Sequence, residues 1–313
     1  MEQMRLDGRV AIVTGAGRGL GRGYAELLAA RGAQVVVNNR IRPGLEHEPP
    51  VAFEVVEAIV AAGGSALAST ADIGTLDGAD SVVQTALDAF GGVDIVINNA
   101  GIVHFYQFGD YPEDEVDSML AVHLRATWSV TRAAWPHLSV HGRGRVLNTV
   151  SRAAFFGDPQ GAAYASAKGA VYGLTRALAV EGAERGIKVN AISPVAWTPL
   201  YARAPDITAE RRKVLEEQFG VELVAPVALA LVHQTCPCSG EVYLAGGGNV
   251  SRLYIAQTPG IQVEAGFTAE EFLDRLPDIW NEDGYIAMGL VNPGERGKGT
   301  PVTVVPPEAR PRG

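Results

Sequence analysis

The chain has 313 residues, 47% of them apolar and 19% charged, with a formal net charge of -9. That length buries one large core with room for an appendage rather than two full domains, and the negative balance argues against a nucleic-acid surface, leaving only a local basic patch open. No uninterrupted apolar run approaches the roughly 20 residues that a membrane helix needs.

The first residues, MEQMRLDGRV, carry charges and run directly into a strand pattern. They lack the apolar core of a signal peptide, so a reducing cytoplasm is the expected compartment. From there strand-like runs alternate with helix-period stretches: RVAIVTG, 19–31, AQVVVN, 51–62, SALAST, 77–90 and VDIVINNAG. Such alternation is the mark of βαβ units. A long helical region over about 112–140, interrupted late by Pro136, then leads to GRVLNTVS, a helix from about 160 to 184, IKVNAIS and GEVYLAG. The pattern predicts an α/β fold: a Rossmann-type, doubly wound parallel sheet of seven strands with helices on both faces, in one domain over 1–250.

Three stretches stand apart from the sheet. RIRPGLEHEPP, 40–50, is a Pro-rich loop longer than usual between a strand and its helix. An extension over 251–291 carries the capping-box pattern Thr268 to Glu271, which predicts one short helix. The tail 292–313 is rich in Pro and Gly and is expected to lack fixed structure unless it docks on a neighbour. The only cysteines, Cys236 and Cys238, flank a single residue. A disulfide between them would be strained and would close almost no loop, and His233 alone is too few partners for a metal. They read as structural or incidental thiols, and no metal is expected.

TGAGRGLGRG follows the first strand and opens the first helix. Glycines there let the chain turn sharply and bring N–H groups against a pyrophosphate at the positive end of a helix. The spacing Gly15, Gly19, Gly21 differs from G-x-G-x-x-G, but its place between strand and helix makes Gly15, Arg18, Gly19, Leu20 and Gly21 candidate dinucleotide contacts. About 20 residues on, an Asp or Glu would hold both ribose hydroxyls. Asn39 and Arg40 stand there instead. Asn does not repel a 2'-phosphate and a guanidinium binds one in bidentate fashion, which favours NADP(H) and leaves NAD(H) open. The competing reading is that Arg40 faces solvent.

AAYASAKGA places Tyr164 and Lys168 four apart, on one face of a helix. A Tyr of ordinary pKa ~10 is a poor acid/base at neutral pH, and a nearby ammonium favours the phenolate. Ser151 ends the strand thirteen residues earlier and could hold a carbonyl oxygen while Tyr164 moves its proton. Each alone is weak, since Ser151 could be a turn residue and the Tyr–Lys pair an exposed helix face. NNAG at 98–101 strengthens the combination.

With these motifs the chain resembles the short-chain dehydrogenase/reductase family over residues 5 to 250, through TGAGRGLG, NNAG, Ser151, Tyr164-x-x-x-Lys168 and PVAWT at 194–198. The resemblance implies that the glycine loop holds the pyrophosphate, that Asp72 and Ile73 lie by the adenine, and that Asn99, Ala100 and Gly101 wall the cofactor. It also implies that Lys168 binds the nicotinamide ribose as well as tuning Tyr164, with Pro194 and Thr198 near the carboxamide. Val195 replaces the family's glycine after Pro194, and His123 stands where most members have an Asn that holds a relay water. VHLRATWSVTRAAWPHL, with the start of the chain and FTAEEFLDRL, is similar to the dehydrogenase unit of peroxisomal multifunctional enzyme type 2, which acts on (3R)-hydroxyacyl-CoA, and to its bacterial single-unit relatives. There an imidazole orients the water or carries protons. The other reading of His123 is a buried structural histidine.

Arg203, Arg211, Arg212 and Lys213 fall in the family's substrate lid and could meet an acyl-CoA phosphate, though such a run is commonly a solvated helix face. His104, Phe105, Tyr106 and Phe108 could line an apolar pocket for a fatty, steroid or aromatic carbonyl. The expected activity is interconversion of a carbonyl and a secondary alcohol on a small molecule by hydride transfer. A non-redox epimerase or dehydratase and a non-catalytic dinucleotide sensor are the rivals. The resemblance also implies a homodimer or homotetramer paired through the helices at 112–140 and 160–184, which carry Trp128 and Trp135.

Overall fold

The computed structural model describes residues 3–41, 50–203 and 207–289, with the backbone of 302–304. Strands β1 (Val10–Thr14), β2 (Gln34–Asn38), β3 (Ser65–Ser69), β4 (Ile95–Asn98), β5 (Arg145–Thr149), β6 (Lys188–Val195) and β7 (Val242–Gly246) are joined by helices. These are α1 (Gly19–Ala30), α2 (Val51–Ala61), α3 (Leu76–Phe90), α4 (Glu113–Leu120), α5 (Ala126–Leu138), α6 (Ala153–Phe156), α7 (Ala162–Gly182), α8 (Ala209–Gln218) and α9 (Ala225–Val232). The sheet order β3-β2-β1-β4-β5-β6-β7 reverses direction at β1/β4, the doubly wound pattern with its crevice at the switch point. Neighbouring strands among these seven pair in parallel, so their C-terminal ends share one edge.

Burial explains the strands. Val10 to Thr14 and Ile95 to Asn98 are buried throughout, as expected for strands covered by helices on both faces. β5 is equally buried yet carries Asn148, and β4 carries Asn98. Asn98 Nδ2 donates to Thr131 Oγ1 and Asn148 Oδ1, both at 2.9 Å, and Asn148 Nδ2 donates to Thr175 Oγ1 at 2.9 Å. This polar chain ties two central strands to α5 and α7, because a buried amide must find partners.

Four expectations need correction. The sheet has eight strands: β8 (Asn249–Leu253) follows β7 after two residues, Gly247 and Gly248, both with positive φ. A connection that short joins only antiparallel neighbours. Exposed on both faces, β8 lacks the alternation that marks a strand in sequence. The helix at 112–140 is not broken by Pro136, which lies inside α5; its irregularity is a π turn over Ala121–Arg125 between α4 and α5. A proline so near a helix end displaces few hydrogen bonds.

The compact units are Met1–Arg252 and Leu253–Gly313. In the second, Thr268 and Glu271 form the expected capping box, but two short helices follow, α10 (Ala269–Asp274) and α11 (Leu276–Ile279). Within it β9 (Ala256–Gln257), β10 (Ile286–Met288) and β11 (Val302–Val304) form a three-stranded sheet, so part of the expected structureless tail is a strand. Residues 42–49 of the Pro-rich loop lie outside the described residues.

Candidate active site

At the C-terminal edge of the sheet the turn from β1 into α1 is shaped by glycines whose absence of side chain is required. Gly15 has φ +62°, and a Cβ there would lie 2.7 Å from the Ala100 Cα; one on Gly21 would lie 2.4 Å from the Gly15 carbonyl oxygen. α1 begins without a side-chain cap or an acidic residue in its first turn, so its terminal N–H groups and positive end are left for an anion. Arg18 is the N-cap residue, and Leu20 packs on the core below. Thr14, which the sequence reading missed, accepts from the Asn99 and Ala100 N–H groups at 3.0 and 3.1 Å; Asn99 Nδ2 donates to the Thr14 and Gly15 carbonyls. These bonds lock NNAG against the glycine turn. This turn fits the pyrophosphate of a dinucleotide.

Past β2, Asn39 accepts from the Gly17 N–H at 3.3 Å. Arg40 pairs with Asp72 past β3, Nη1 to Oδ2 3.2 Å, both about half exposed. Arg40 is therefore neither free in solvent nor committed to a ligand. Asp72 also accepts from the Gly74 N–H, and Ile73 beside it is buried.

Ser151 lies just past β5, and Tyr164 and Lys168 lie in the first turns of α7. Ser151 is near enough to Tyr164 to favour its phenolate, and the Lys168 Nζ sits 5.8 Å from the Tyr164 ring centre. Lys168 is buried, its Nζ donating to the Thr149 carbonyl at 2.7 Å, and burial pushes its pKa down to about 7. Burial also raises the Tyr164 pKa, opposed by Ser151 and reinforced by the Asp158 charge. The expected lowering by Lys168 is not found in the protein alone, where desolvation of the buried phenol dominates.

The sequence model of the family described as short chain dehydrogenase matches residues 9–203, well over half the chain. The chain belongs to that family. A protein of Mycobacterium tuberculosis named as a short-chain type dehydrogenase/reductase is 38% identical over 91% of this chain and 98% of its own. Two solved structures agree. Full-length peroxisomal multifunctional enzyme type 2 of Drosophila melanogaster superposes with a TM-score of 0.77 at 29% identity, covering 94% of this chain but only 49% of that one. An NAD(P)-dependent gluconate 5-dehydrogenase of Beutenbergia cavernae, with NADP bound, gives 0.68 at 34%, covering 78% and 97%. The protein is thus an oxidoreductase with the dehydrogenase fold, and the non-redox and non-catalytic rivals lose their ground.

In this short-chain dehydrogenase His123 occupies the π turn, a backbone irregularity that recurs at functional sites. Its ring stands edge-on to Tyr164, centres 5.3 Å apart, and Nε2 lies 2.8 Å from the Ile102 carbonyl. That contact makes Nε2 the protonated nitrogen and leaves Nδ1 a buried acceptor with no partner among the described residues. Burial and the Lys168 charge hold the His123 pKa well below the usual 6.5, so the ring is neutral at pH 7. Gly101 makes room for it: a Cβ there would lie 2.7 Å from His123 Cε1.

Val195 stays in β6, paired with Gly246. A Cβ on Gly246 would lie 2.7 Å from the Val195 Cβ, so the missing glycine of the family is matched by one on the neighbouring strand. Thr198 closes over the glycine turn, its Cγ2 3.3 Å from where a Gly19 Cβ would be, and Pro194 precedes it in β6. His104 pairs with Glu115, and Tyr111 donates to the His104 carbonyl at 2.8 Å. Phe105 and Tyr106 are half-buried, whereas Phe108 is 84% exposed. Arg211, Arg212 and Lys213 are exposed on α8, Arg212 over the Trp197 ring and Lys213 paired with Glu217. The side chain of Arg203 lies outside the described residues.

Proposed function

We propose that this short-chain dehydrogenase interconverts a secondary alcohol and a ketone with a nicotinamide cofactor, NADP(H) ahead of NAD(H). The observation that carries the reading is the convergence of Ser151, Tyr164, Lys168 and a neutral His123 at the C-terminal edge of the sheet. When bound, the cofactor donates or accepts the hydride. Gly15, Arg18, Gly19, Leu20, Gly21, Asp72, Ile73, Asn99, Ala100, Gly101, Pro194 and Thr198 would hold it. Ser151 Oγ holds the substrate oxygen, and Tyr164 Oη gives it a proton in reduction or removes one in oxidation. Lys168 orients the ribose end of the cofactor, and its ammonium, once paired with ligand oxygens, favours the phenolate. The His123 Nδ1 accepts from a relay water that returns the proton to solvent.

The π-turn histidine and the likeness to multifunctional enzyme type 2 favour a 3-hydroxyacyl or 3-oxoacyl thioester, with another apolar ketone as the second reading. The exposed cations of α8 are too solvated to argue for a CoA phosphate. Among the described residues no helix is long and apolar enough to cross a membrane, and the two free thiols suit a reducing compartment such as the cytoplasm.

A groove of about 800 Å³ on the outer side of the π turn and α7, lined by Leu120, Leu124, Trp128, Gly173 and Ala177, suits a second copy of the chain. It shares no residue with the catalytic group: at ~100° per residue Gly173 and Ala177 face away from Lys168. Asp117 and Arg125 on its rim give a two-fold pairing opposite charges to match. The groove supports reading the assembly as a homodimer or homotetramer paired through this face.

The deciding experiment is Tyr164→Phe. Absorbance at the nicotinamide band should show a fall in kcat of roughly 100-fold or more with cofactor binding intact. Full activity in this variant would sink the mechanism.

A further inference from the structure

The connection from α9 into β7, residues 233–241, lies at the sheet edge opposite the catalytic residues, since it feeds the N-terminal end of a parallel strand. Across exposed Pro237, the Cys236 and Cys238 sulfurs stand 3.4 Å apart, close to van der Waals contact and already facing each other. The loop is pinned by its carbonyls. Lys188 Nζ donates to those of Cys236 and Pro237 at 2.6 and 3.1 Å, Asn190 Nδ2 to that of Cys238 at 3.0 Å, and Arg145 to those of His233 and Gln234 at 3.3 and 2.8 Å. Arg145 and Lys188 pair with no carboxylate among the described ion pairs, and Arg145 is 4% exposed. Two cations held beside a thiol, with no carboxylate to neutralise them, stabilise its thiolate.

We propose that Cys236 and Cys238 form a redox-active dithiol that a hydroperoxide converts to an intramolecular disulfide, Cys236 attacking and Cys238 resolving. The Cys236 thiolate attacks one peroxide oxygen, the O–O bond breaks, and the departing hydroxide or alkoxide takes up a proton. The Cys236 sulfenic acid is then attacked by Cys238 sulfur, which loses its proton as the sulfenic oxygen leaves as water. Two thiols are oxidised by two electrons and one peroxide is reduced. The order of roles follows from the pair: the hydrogen bond between the two sulfurs, then the Lys188 and Arg145 charges, lower the Cys236 pKa, while the neighbouring sulfur keeps the proton on Cys238. Oxidation of Cys236 removes that restraint. Tyr243 Oη, which donates to Cys238 Sγ at 3.7 Å, supports the resolving sulfur as it turns negative.

Closing the sulfurs to about 2.05 Å in so small a ring strains the bond and removes little chain entropy, so the disulfide is readily reduced and acts as a reversible mark rather than a staple. The test treats the reduced full-length protein with hydrogen peroxide, alkylates it and maps peptides by mass. The expected result is loss of two hydrogens within the peptide holding both cysteines, reversed by glutathione, with Cys238→Ser giving a dimedone adduct on Cys236. Two alkylatable thiols after treatment, disulfides only between chains, or over-oxidation of Cys236 without an internal disulfide would each overturn the proposal. Because the wild-type map stands by itself, misfolding of the variant would not spare it.

Discussion

Arg40 and Lys168 are the two basic residues whose surroundings change most when a ligand arrives, and each yields a measurement. The Arg40–Asp72 pair is half exposed, a geometry worth about 0–1 kcal/mol, so a ligand phosphate of higher charge displaces Asp72 easily. Arg40→Ala should weaken NADPH binding about tenfold or more and leave NADH binding unchanged, as read by fluorescence titration. An equal loss for both cofactors would place Arg40 in loop structure rather than at a 2'-phosphate. Lys168 binds its proton up to about 10.5 in the unfolded chain but only up to about 7 when folded. The unfolded state therefore holds more protons across that window, and the cofactor-free protein gains stability as pH rises through it. Lys168→Met removes this slope, so urea unfolding should show the variant's advantage over the wild type shrinking from neutral to alkaline pH. A gap that does not change with pH would mean that the lysine keeps its charge in the fold.

At the scale of elements, the turn from β1 into α1 is held by backbone packed on backbone. A Cβ on Gly21 would meet the Gly15 carbonyl, which cannot rotate away like a flexible side chain. Gly21→Ala should cost about 1–3 kcal/mol in denaturant unfolding and weaken both nicotinamide cofactors together. The glycines were legible in sequence because their spacing between a strand and a helix has one cheap explanation. Ser151, Tyr164 and Lys168 were legible as a group for a related reason, since parallel strands bring their C-terminal ends to one edge. The π turn was not legible. It changes which face His123 presents without changing the apolar pattern, and Pro136 drew attention to the wrong turn of the same helix. Thr14 and Asn148 were missed, and Asn98 was seen only as part of NNAG, because a polar residue in a buried strand leaves no periodic signal; only its partners explain it. The lysine's lowered pKa was also hidden, for it depends on burial that no spacing reports.

For the molecule as a whole, the seven parallel strands followed from alternation alone, while the eighth was lost because all its residues face solvent. Assembly is the property that reaches furthest beyond one chain. Trp128 is 55% exposed in the groove beside α7. Trp128→Glu would place a carboxylate in that surface and should weaken self-association by about 2 kcal/mol or more, seen as a smaller species in light scattering at dilute concentration. An unchanged mass would move the interface elsewhere. β8 bears on the same question from the other side. It is short and largely exposed, and its Arg252 is turned back onto Glu241. Such a strand offers an arriving chain only a short edge and a charge to desolvate, so the sheet is protected from growing by strand addition. Without β8, β7 would be the border, with buried Val242 and Ala245 beside open hydrogen-bonding groups, a template for aggregation. The two-glycine turn thus acts as a guard against growth of the sheet.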